Sequence, residues 1–456
     1  MRIEKDFLGM REVPENAYYG IQSLRAAENF PLTGRKLPRP MIRALGLVKK
    51  AAAEANQRVG EISSELVAVM KIAGDEVAQG RFDDAFIVDV LQGGAGTAAN
   101  MNVNEVIANR ANELLGKPLG SYDPVTPHEH VNRGQSTNDV FPSAIRIAAI
   151  WELRDLVSEV ALLQEALQKK EQEFSSILKI GRTQLQDAVP MTLGAEFSAW
   201  AEAFSRDRWR LYRLEERLRV INIGATAIGT GVNAGRRFQM EIIRILRDET
   251  GLGLARADNL VEATQNADVF CEVSGLLKPL AVNLGKMSND LRLLASGPHS
   301  AIGEIRLPAV QEGSTIMPGK VNPVMCEMIN QVCFRVYGND HVITHAAEAG
   351  QLELNAFCPV IMDALLESLM ILCRGIRLLR EKCISGITAV PSRCRENLKG
   401  SLGLLTILAK KLGHQNMSEV YRRHLDSGVS IEHLLVEGKF FSEEEINQAI
   451  ENFQTS

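Results

Sequence analysis

Residues 143–178 read SAIRIAAIWELRDLVSEVALLQEALQKKEQEFSSIL. Apolar side chains recur there every three or four residues, which places them on one face of a helix. That stripe consists of Leu153, Leu156, Val157, Val160, Leu163 and Leu167. At 1.5 Å per residue the helix is about 54 Å long. The pattern predicts an all-α protein built around long helices.

Four further stretches carry the same helical spacing of apolar residues. They are residues 197–218, 273–294, 324–343 and 360–380. We expect a tight polar turn at residues 181–190, a kink at Pro279 and no strand between residues 143 and 385. Five helices this long present more apolar surface than a single bundle covers, so we expect subunits to associate through them.

The regions on either side of the long helices predict smaller helical domains. Residues 1–40 carry four prolines and read as an irregular arm, whereas residues 41–80 predict two helices. A shorter helix is expected at residues 240–250, and further short helices at 401–412 and 443–453. The predicted division is an N-terminal helical domain over 1–142, a central bundle over 143–385 and a small C-terminal domain over 386–456.

Composition narrows the classes of function. A net charge of -5 over 456 residues, without a dense basic block, argues against nucleic acid or an anionic membrane as partner. The seven cysteines show no CxxC spacing, and no stretch has the apolar length of a signal peptide or a membrane span. We therefore expect a cytoplasmic protein that binds a small molecule.

Residues 313–323, GSTIMPGKVNP, have the composition of an active-site flap. Two glycines and two prolines exclude a regular helix or strand, and the polar residues between them suit a carboxylate ligand. These polar residues are Ser314, Thr315, Lys320 and Asn322. From the residues alone, a polar surface loop followed by a helix beginning at Pro323 is an equally good interpretation.

Two other stretches combine small and polar residues. Residues 92–105, QGGAGTAANMNVNE, lack the Lys-Ser/Thr of a P-loop and the spacing of a dinucleotide-binding turn. Residues 130–139, HVNRGQSTND, place hydroxyls and amides at a helix start, where free backbone amides favour an anion. If these residues have only a structural role, one of Ser136, Thr137 and Asn138 caps the helix that follows.

The flap resembles the signature GSSxMPxKxNP of the aspartase and fumarase superfamily. Residues 92–105 resemble GGAGTSxNMNxNEV of the same family, and residues 12–30 resemble EVPxxAYYGxxTxRAxENF. The likeness runs from about Arg2 to about Glu451. It implies a homotetramer with a twenty-helix core, active sites assembled from three subunits and no cofactor, although some members are activated by a divalent cation such as Mg²⁺.

The resemblance also implies a reaction and roles for named residues. The reaction is the reversible deamination of L-aspartate to fumarate and ammonia, in which Ser314 removes the C3 proton and leaves an aci-carboxylate. Hydroxyls expected at the β-carboxylate are those of Thr97, Ser136, Thr137 and Thr315. Expected at the α-carboxylate are Thr183, Lys320 and Asn322. Asn138 and Gln184 face the amino group, and Glu327 matches a supporting glutamate.

Fumarase, a lyase for a larger N-substituted aspartate and a crystallin-like structural protein are the alternatives. Fumarases have GRTH where this chain has Gly181-Arg182-Thr183-Gln184, which is the aspartase pattern. A structural protein has no need of Ser314, Lys320 and Asn322. Departures from the family pattern are Thr315 and Ala98 in place of serine, His299 in place of arginine, Cys358 in place of glutamate, and an early C-terminus.

Overall fold

The structure is a computed structural model that describes residues 1–455, with side chains described to residue 453. Its helices are α1 (Ile21–Asn29), α2 (Arg39–Arg58), α3 (Ser64–Ala78), α4 (Thr97–Leu114), α5 (Thr137–Glu173), α6 (Leu193–Leu218), α7 (Arg236–Thr250), α8 (Leu260–Gln265), α9 (Asp268–Leu294), α10 (Val324–Glu348), α11 (Cys358–Lys382), α12 (Pro391–Gly400), α13 (Gly403–Leu412), α14 (His414–Ser427), α15 (Ile431–Glu437) and α16 (Glu443–Thr455). The strands are β1 (Arg2–Asp6), β2 (Gly9–Val13), β3 (Leu178–Thr183), β4 (Gln186–Thr192), β5 (Val220–Ile221), β6 (Ala255–Arg256), β7 (Ile305–Arg306) and β8 (Thr388–Ala389). The fold class is all-α, as predicted.

The five predicted long helices are present as α5, α6, α9, α10 and α11. Five of the six residues of the predicted stripe of α5 are buried, among them Leu156, Val160 and Leu163 at 0% exposed, and Val157 is half-buried. The helix begins at Thr137 rather than at residue 143 and contains Pro142. Proline has no N–H to donate to the Asn138 carbonyl one turn earlier, and the side-chain amide of Asn222 donates to that carbonyl instead, at 3.1 Å. Pro279 likewise lies inside α9.

The expected absence of strands between residues 143 and 385 is wrong. The region predicted as helix end and polar turn is an antiparallel hairpin, with Leu178 paired to Thr192 and Thr183 paired to Gln186. Leu178 and Ile180 are buried in the apolar cluster of the C-terminal helices. Because alternate residues of a strand share one face, this burial favours an extended backbone over another helical turn.

The N-terminal arm is also more regular than predicted. Strands β1 and β2 form a hairpin, and α1 follows it. Arg25 of α1 makes a 2.7 Å ion pair with Asp6 of β1. Glu105 of α4, 1% exposed, accepts backbone amides of Gly20 at 2.9 Å and Gln22 at 2.8 Å. These buried contacts fix a segment whose local sequence shows no clear period. The two helices expected in residues 41–80 are present as α2 and α3.

The chain folds as two compact units. The first comprises residues 1–157, 209–279 and 334–373, and the second comprises residues 158–208 and 280–333 and the chain from Arg374 on. In the second unit, helices α12 to α16 enclose one apolar cluster that includes Leu405, Ile431 and Ile446. The division at residues 142 and 385 stays a prediction. Within residues 1–455 no helix has the length and apolar character needed to cross a membrane.

Candidate active site

The flap is a closed loop between β7 and α10. A Cβ atom at Gly313 would lie 2.1 Å from the carbonyl oxygen of Lys320, so only glycine allows the two ends of the loop to approach this closely. The side-chain amide of Asn322 donates a hydrogen bond to the Gly313 carbonyl. At the far end Ile316 is 86% exposed. The loop therefore has a tight base and an exposed tip.

Ser314 lies at the base of this loop and is half-buried. Its Oγ accepts hydrogen bonds from the backbone amides of Ile316 and Met317, both at 3.1 Å. Donors directed at an oxygen favour its negatively charged form. Lys320 and Thr315 are exposed, and among the side chains of residues 1–453 that of Lys320 makes no hydrogen bond or ion pair. The flap thus presents a hydroxyl oxygen in a donor-rich setting and a cation open to a ligand.

The predicted capping role of Ser136 is confirmed. Its Oγ accepts the Asn138 backbone amide at 3.3 Å, and its own amide donates to Asp139 Oδ1 at 2.9 Å. This reciprocal pair closes the N-terminus of α5. Ser136 also lines a cleft of about 880 Å³, so capping does not remove it from a ligand's reach. Thr137 is 8% exposed, and the Asn138 side chain donates to the Ala227 carbonyl at 2.7 Å.

Asp139 organises this region and is not among the predicted site residues. It is 0% exposed and accepts the backbone amides of Gly224 at 3.0 Å and Thr226 at 2.9 Å, which ties α5 to the glycine-containing segment 224–231. Burial raises the pKa of Asp139 to about 6, and the charge of Lys49 opposes that shift. The Ser-x-x-Asp spacing from Ser136 was the available signal.

Lys49 of α2 is a second residue of this hydrogen-bond network that was not predicted from the sequence. It is 1% exposed, and its Nζ donates to Asn132 Oδ1 at 2.9 Å and to Gln135 Oε1 at 3.0 Å. Burial lowers the pKa of Lys49 to about 7. The same Asn132 oxygen accepts Asn100 Nδ2 at 3.2 Å, so Lys49 joins the two motifs that the sequence shows separately.

Thr97 begins α4, directly after the glycine-rich turn. Gly96 has φ 96°, and a Cβ there would lie 2.5 Å from the Phe141 ring, so the turn requires glycine. The Thr97 hydroxyl donates to the Gly94 carbonyl at 2.7 Å. Thr97 lines a cleft of about 830 Å³ that includes Glu105 but not Ser136. In the first unit, Thr97 and Ser136 thus line two different clefts.

Thr183, the last residue of β3, and Gln184, the first residue of the turn, are exposed at the tip of the β3–β4 hairpin. Gln184 has φ 54° and Leu185 has φ 62°, so two consecutive non-glycine residues adopt the left-handed conformation. In the described part of the chain, neither the Thr183 nor the Gln184 side chain forms a hydrogen bond. Both are available to a ligand. Glu327 is half-buried in the first turn of α10.

The described residues contain no group of three or more His, Cys, Asp or Glu side chains placed to hold a metal ion. The second unit carries the hairpin tip and the flap, and the first unit carries Thr97, Ser136, Thr137 and Asn138. These side chains can donate hydrogen bonds to carboxylate oxygens, and the Lys320 ammonium can pair with a negative charge. Such groups suit a small dicarboxylate as ligand.

Comparisons with known proteins agree with this chemistry. A family model described as lyase matches residues 9–338. The curated aspartate ammonia-lyase of Bacillus subtilis (strain 168) is 46% identical over 446 residues, which cover 98% of this chain and 94% of that protein. The curated aspartate ammonia-lyase of Escherichia coli (strain K12) is 46% identical over 450 residues, with the same coverage of 98% and 94%.

Solved structures share the fold over nearly the whole chain. A fumarate lyase:delta crystallin from Brucella melitensis, solved with cobalt, aligns with a TM-score of 0.93 and 45% identity over 98% of both chains. A class II fumarase from Schistosoma mansoni aligns with a TM-score of 0.90 and 33% identity, again over 98% of both chains. With these near-complete alignments, the protein belongs to the lyase family that contains the aspartate ammonia-lyases and class II fumarases.

Proposed function

We propose that this protein is an aspartate ammonia-lyase that reversibly converts L-aspartate to fumarate and ammonia. The observation that carries the proposal is 46% identity with curated aspartate ammonia-lyases over essentially the full chain. The identity with the class II fumarase is lower, at 33%. Gln184, where fumarases carry histidine, favours an amine over water as the leaving group.

In this proposal Ser314 is the base. Its oxygen takes the proton from C3, the electrons of the C3–H bond form the C2–C3 double bond by way of the β-carboxylate, and the C2–N bond breaks to release ammonia. Serine is a weak base unless its alkoxide is stabilised. Support comes from the two backbone amides, of Ile316 and Met317, that already donate to Ser314 Oγ.

Charge develops on the β-carboxylate as the proton leaves, because the aci-carboxylate intermediate is a dianion there. Four hydroxyls are proposed to stabilise it, those of Thr97, Ser136, Thr137 and Thr315. Donors directed at developing charge act on the transition state more than on the ground state. Lys320, Thr183 and Asn322 would hold the α-carboxylate. Lys320 is exposed and has no partner among the described side chains, as such a role requires. Glu327 is proposed to support the site.

The proposed active form is a homotetramer whose sites combine residues of different subunits. Support comes from the first unit, where Thr97 and Ser136 line separate clefts although both are proposed to contact one carboxylate. Residues of a second copy would complete each cleft. We also place the enzyme in the cytoplasm, in keeping with seven free thiols, of which six are buried.

The decisive experiment adds L-aspartate to the purified protein and follows the ultraviolet absorbance of fumarate. We expect absorbance to rise and to fall again when ammonium is added in excess, because the reaction is reversible. L-Asparagine is the matched control. It differs only in its neutral amide, which cannot carry the dianionic intermediate, so no fumaramate should form. Absence of fumarate from L-aspartate would refute the proposal.

A further inference from the structure

A buried ionic cluster lies beneath the β3–β4 hairpin, and the proposed mechanism does not use it. At its centre is Glu304, 0% exposed. Arg182 donates to both carboxylate oxygens of Glu304, at 2.9 Å and 3.1 Å. Lys179 Nζ lies 3.0 Å from the same carboxylate and 2.6 Å from Glu196 Oε1. We call Glu304, Arg182, Lys179, Glu196 and Asn397 the Glu304 cluster.

Asn397 of α12 extends the cluster to a third element, donating to Glu304 Oε1 at 3.0 Å. The backbone just before Glu304 is held by the same helix, because Arg393 donates to the carbonyls of Ala301 at 2.9 Å and Ile302 at 3.1 Å. One carboxylate therefore joins β3, α12 and the segment that precedes β7. Strand β3 cannot shift without separating buried charges.

The charge state of Glu304 agrees with this role. Burial by itself would raise the pKa of Glu304, but the hydrogen bond from Arg182 and the charge of Lys179 outweigh burial and hold that pKa below its usual value. Breaking one partner away would leave an uncompensated charge in the interior, which is strongly unfavourable. The cluster is thus a rigid attachment point rather than a surface ion pair.

The hairpin tip above the cluster is strained. Gln184 and Leu185 are both left-handed, a turn geometry that favours Asn-Gly over Gln-Leu. The tip does not stabilise itself by packing, since Leu185 is 68% exposed. Backbone strain of this kind persists only where the surroundings impose it. Arg182, directly before Thr183, is the nearest residue anchored in the interior.

We propose that Glu304 is a positioning residue: through Arg182 and Lys179 it holds the hairpin tip so that Thr183 and Gln184 face the substrate. The inference rests on the proposed function, because those two residues are the proposed contacts to the α-carboxylate and the amino group. It assigns a role in substrate affinity to a buried carboxylate that touches no substrate. Glu304 acts on the reaction only through the geometry of the tip.

A merely structural cluster would affect folding stability without affecting substrate affinity, so the test separates the two. Glu304→Gln keeps the side-chain shape and removes the charge that binds Arg182. The matched control is Glu159→Gln. Glu159 is another buried carboxylate of the same unit, 6% exposed, with Arg377 Nε at 2.8 Å and Arg380 Nη2 at 3.2 Å, and it lies on α5.

We expect both variants to lower the thermal unfolding midpoint. Only Glu304→Gln should raise KM for L-aspartate, by about tenfold. Its kcat should fall less than its KM rises, because the change weakens a binding contact. Arg182→Lys is the milder companion. It keeps a charge beside Glu304 but loses the two-point contact, so its KM should lie between the wild-type and Glu304→Gln values. Equal KM changes in Glu304→Gln and Glu159→Gln would overturn the proposal.

Rescue is the sharper readout. Leu185→Gly places glycine where the turn needs a left-handed residue, so the tip depends less on the cluster. The double variant Glu304→Gln/Leu185→Gly should recover much of the lost affinity without recovering the unfolding midpoint of the wild type. Recovery of neither quantity would count against positioning.

Amide hydrogen exchange makes the test independent of turnover. We expect residues 183–186 to exchange faster in Glu304→Gln than in the wild type, and no change there in Glu159→Gln. If the wild-type protein failed to deaminate L-aspartate, the proposed function would fall while this exchange result still decided whether Glu304 holds the tip. Unchanged exchange at residues 183–186 would refute the positioning role whatever the activity.

Discussion

At the scale of single residues, Ser314 is the group on which the proposed chemistry depends. Replacing its hydroxyl by Ser314→Ala removes the base but leaves the exposed flap able to form. We expect turnover of L-aspartate to fall by about 10²- to 10⁴-fold, the usual cost of losing a positioned base. The thermal unfolding midpoint should stay within error of the wild type. Ser418→Ala, which removes an exposed hydroxyl bonded to the His414 carbonyl, is the control. Near-wild-type turnover would exclude Ser314 as base.

In the proposed function, Gln184 is the residue that favours ammonia over water as the leaving group. Hydroxide leaves C2 poorly unless an acid protonates it, whereas the ammonium of aspartate already carries the proton it departs with. A side-chain amide is no acid near neutral pH, but its carbonyl accepts a hydrogen bond from an ammonium. We expect efficient deamination of L-aspartate and little L-malate from fumarate in water, measured as kcat/KM for each. Comparable values for the two reactions would show that this argument about Gln184 is wrong.

Lys49 predicts a pH dependence of stability. Burial lowers its pKa from 10.5 to about 7 in the folded chain. Between those values the unfolded chain binds the extra proton, so raising the pH through this window stabilises the fold, by at most about 1.4 kcal/mol per pH unit. Between pH 7 and pH 9, the thermal unfolding midpoint of the wild type should rise relative to that of Lys49→Met. Parallel pH profiles for the two proteins would contradict the shift.

The residues found only in the structure show where local sequence is insufficient. Lys49 and Lys50 are neighbours in one alanine-rich helix, yet Lys49 is 1% exposed, whereas Lys50 makes partly exposed ion pairs with Asp75 and Glu249. Which of the two points inward depends on the packing of α2, not on residue type. Ser314 was identifiable because its motif is contiguous. Lys49 and Glu304 act through partners that are distant in sequence.

At the scale of elements, helices were predictable and the hairpin was not. The apolar stripe of α5, Leu153 to Leu167, repeats over about four turns, so its helical period can be recognised in the sequence. Strands β3 and β4 have only six and seven residues, and their register shifts at Gly181, between Ile180 and Arg182. Their extended form follows from burial of Leu178 and Ile180 against helices that begin more than 200 residues later. No local pattern carries that information.

The flap offers a test of one element. Gly313→Ala would place a Cβ 2.1 Å from the Lys320 carbonyl, so the base of the loop must open and Ser314 must move. We expect kcat/KM for L-aspartate to fall by about 10²-fold, the effect of a displacement near 1 Å in a catalytic site. Stability should change little because the loop is exposed. Gly400→Ala, at the end of α12 and outside the proposed site, where an added Cβ meets nothing within 4 Å, should match the wild type. Equal activity of both variants would show that the loop base does not set the site.

At the scale of the whole molecule, helix length predicted the fold class, and exposed apolar surface supports the proposed assembly. The sequence indicated more apolar helix surface than one bundle covers, and the structure leaves large apolar side chains exposed on the long helices. Among them are Trp209, 68% exposed, and Phe334, 64% exposed. A second copy of the chain would remove such surface from water. The two separate clefts of the first unit agree with that assembly.

Subunit mixing tests whether one site uses residues of different chains. Ser314→Ala and Ser136→Ala should each be nearly inactive alone. Suppose that a site takes Ser314 from one subunit and Ser136 from another. In tetramers mixed at random from equal amounts of the two variants, each of these serines is intact in half of the sites, so both are intact in about a quarter of them. Denaturing and refolding the two variants together should then regain about that fraction of wild-type turnover. Ser314→Ala mixed with Lys320→Ala is the control, because both residues lie on one flap and every flap then carries a lesion. Recovery in the first mixture alone supports shared sites, and no recovery in either would mean that Ser136 and Ser314 come from the same chain.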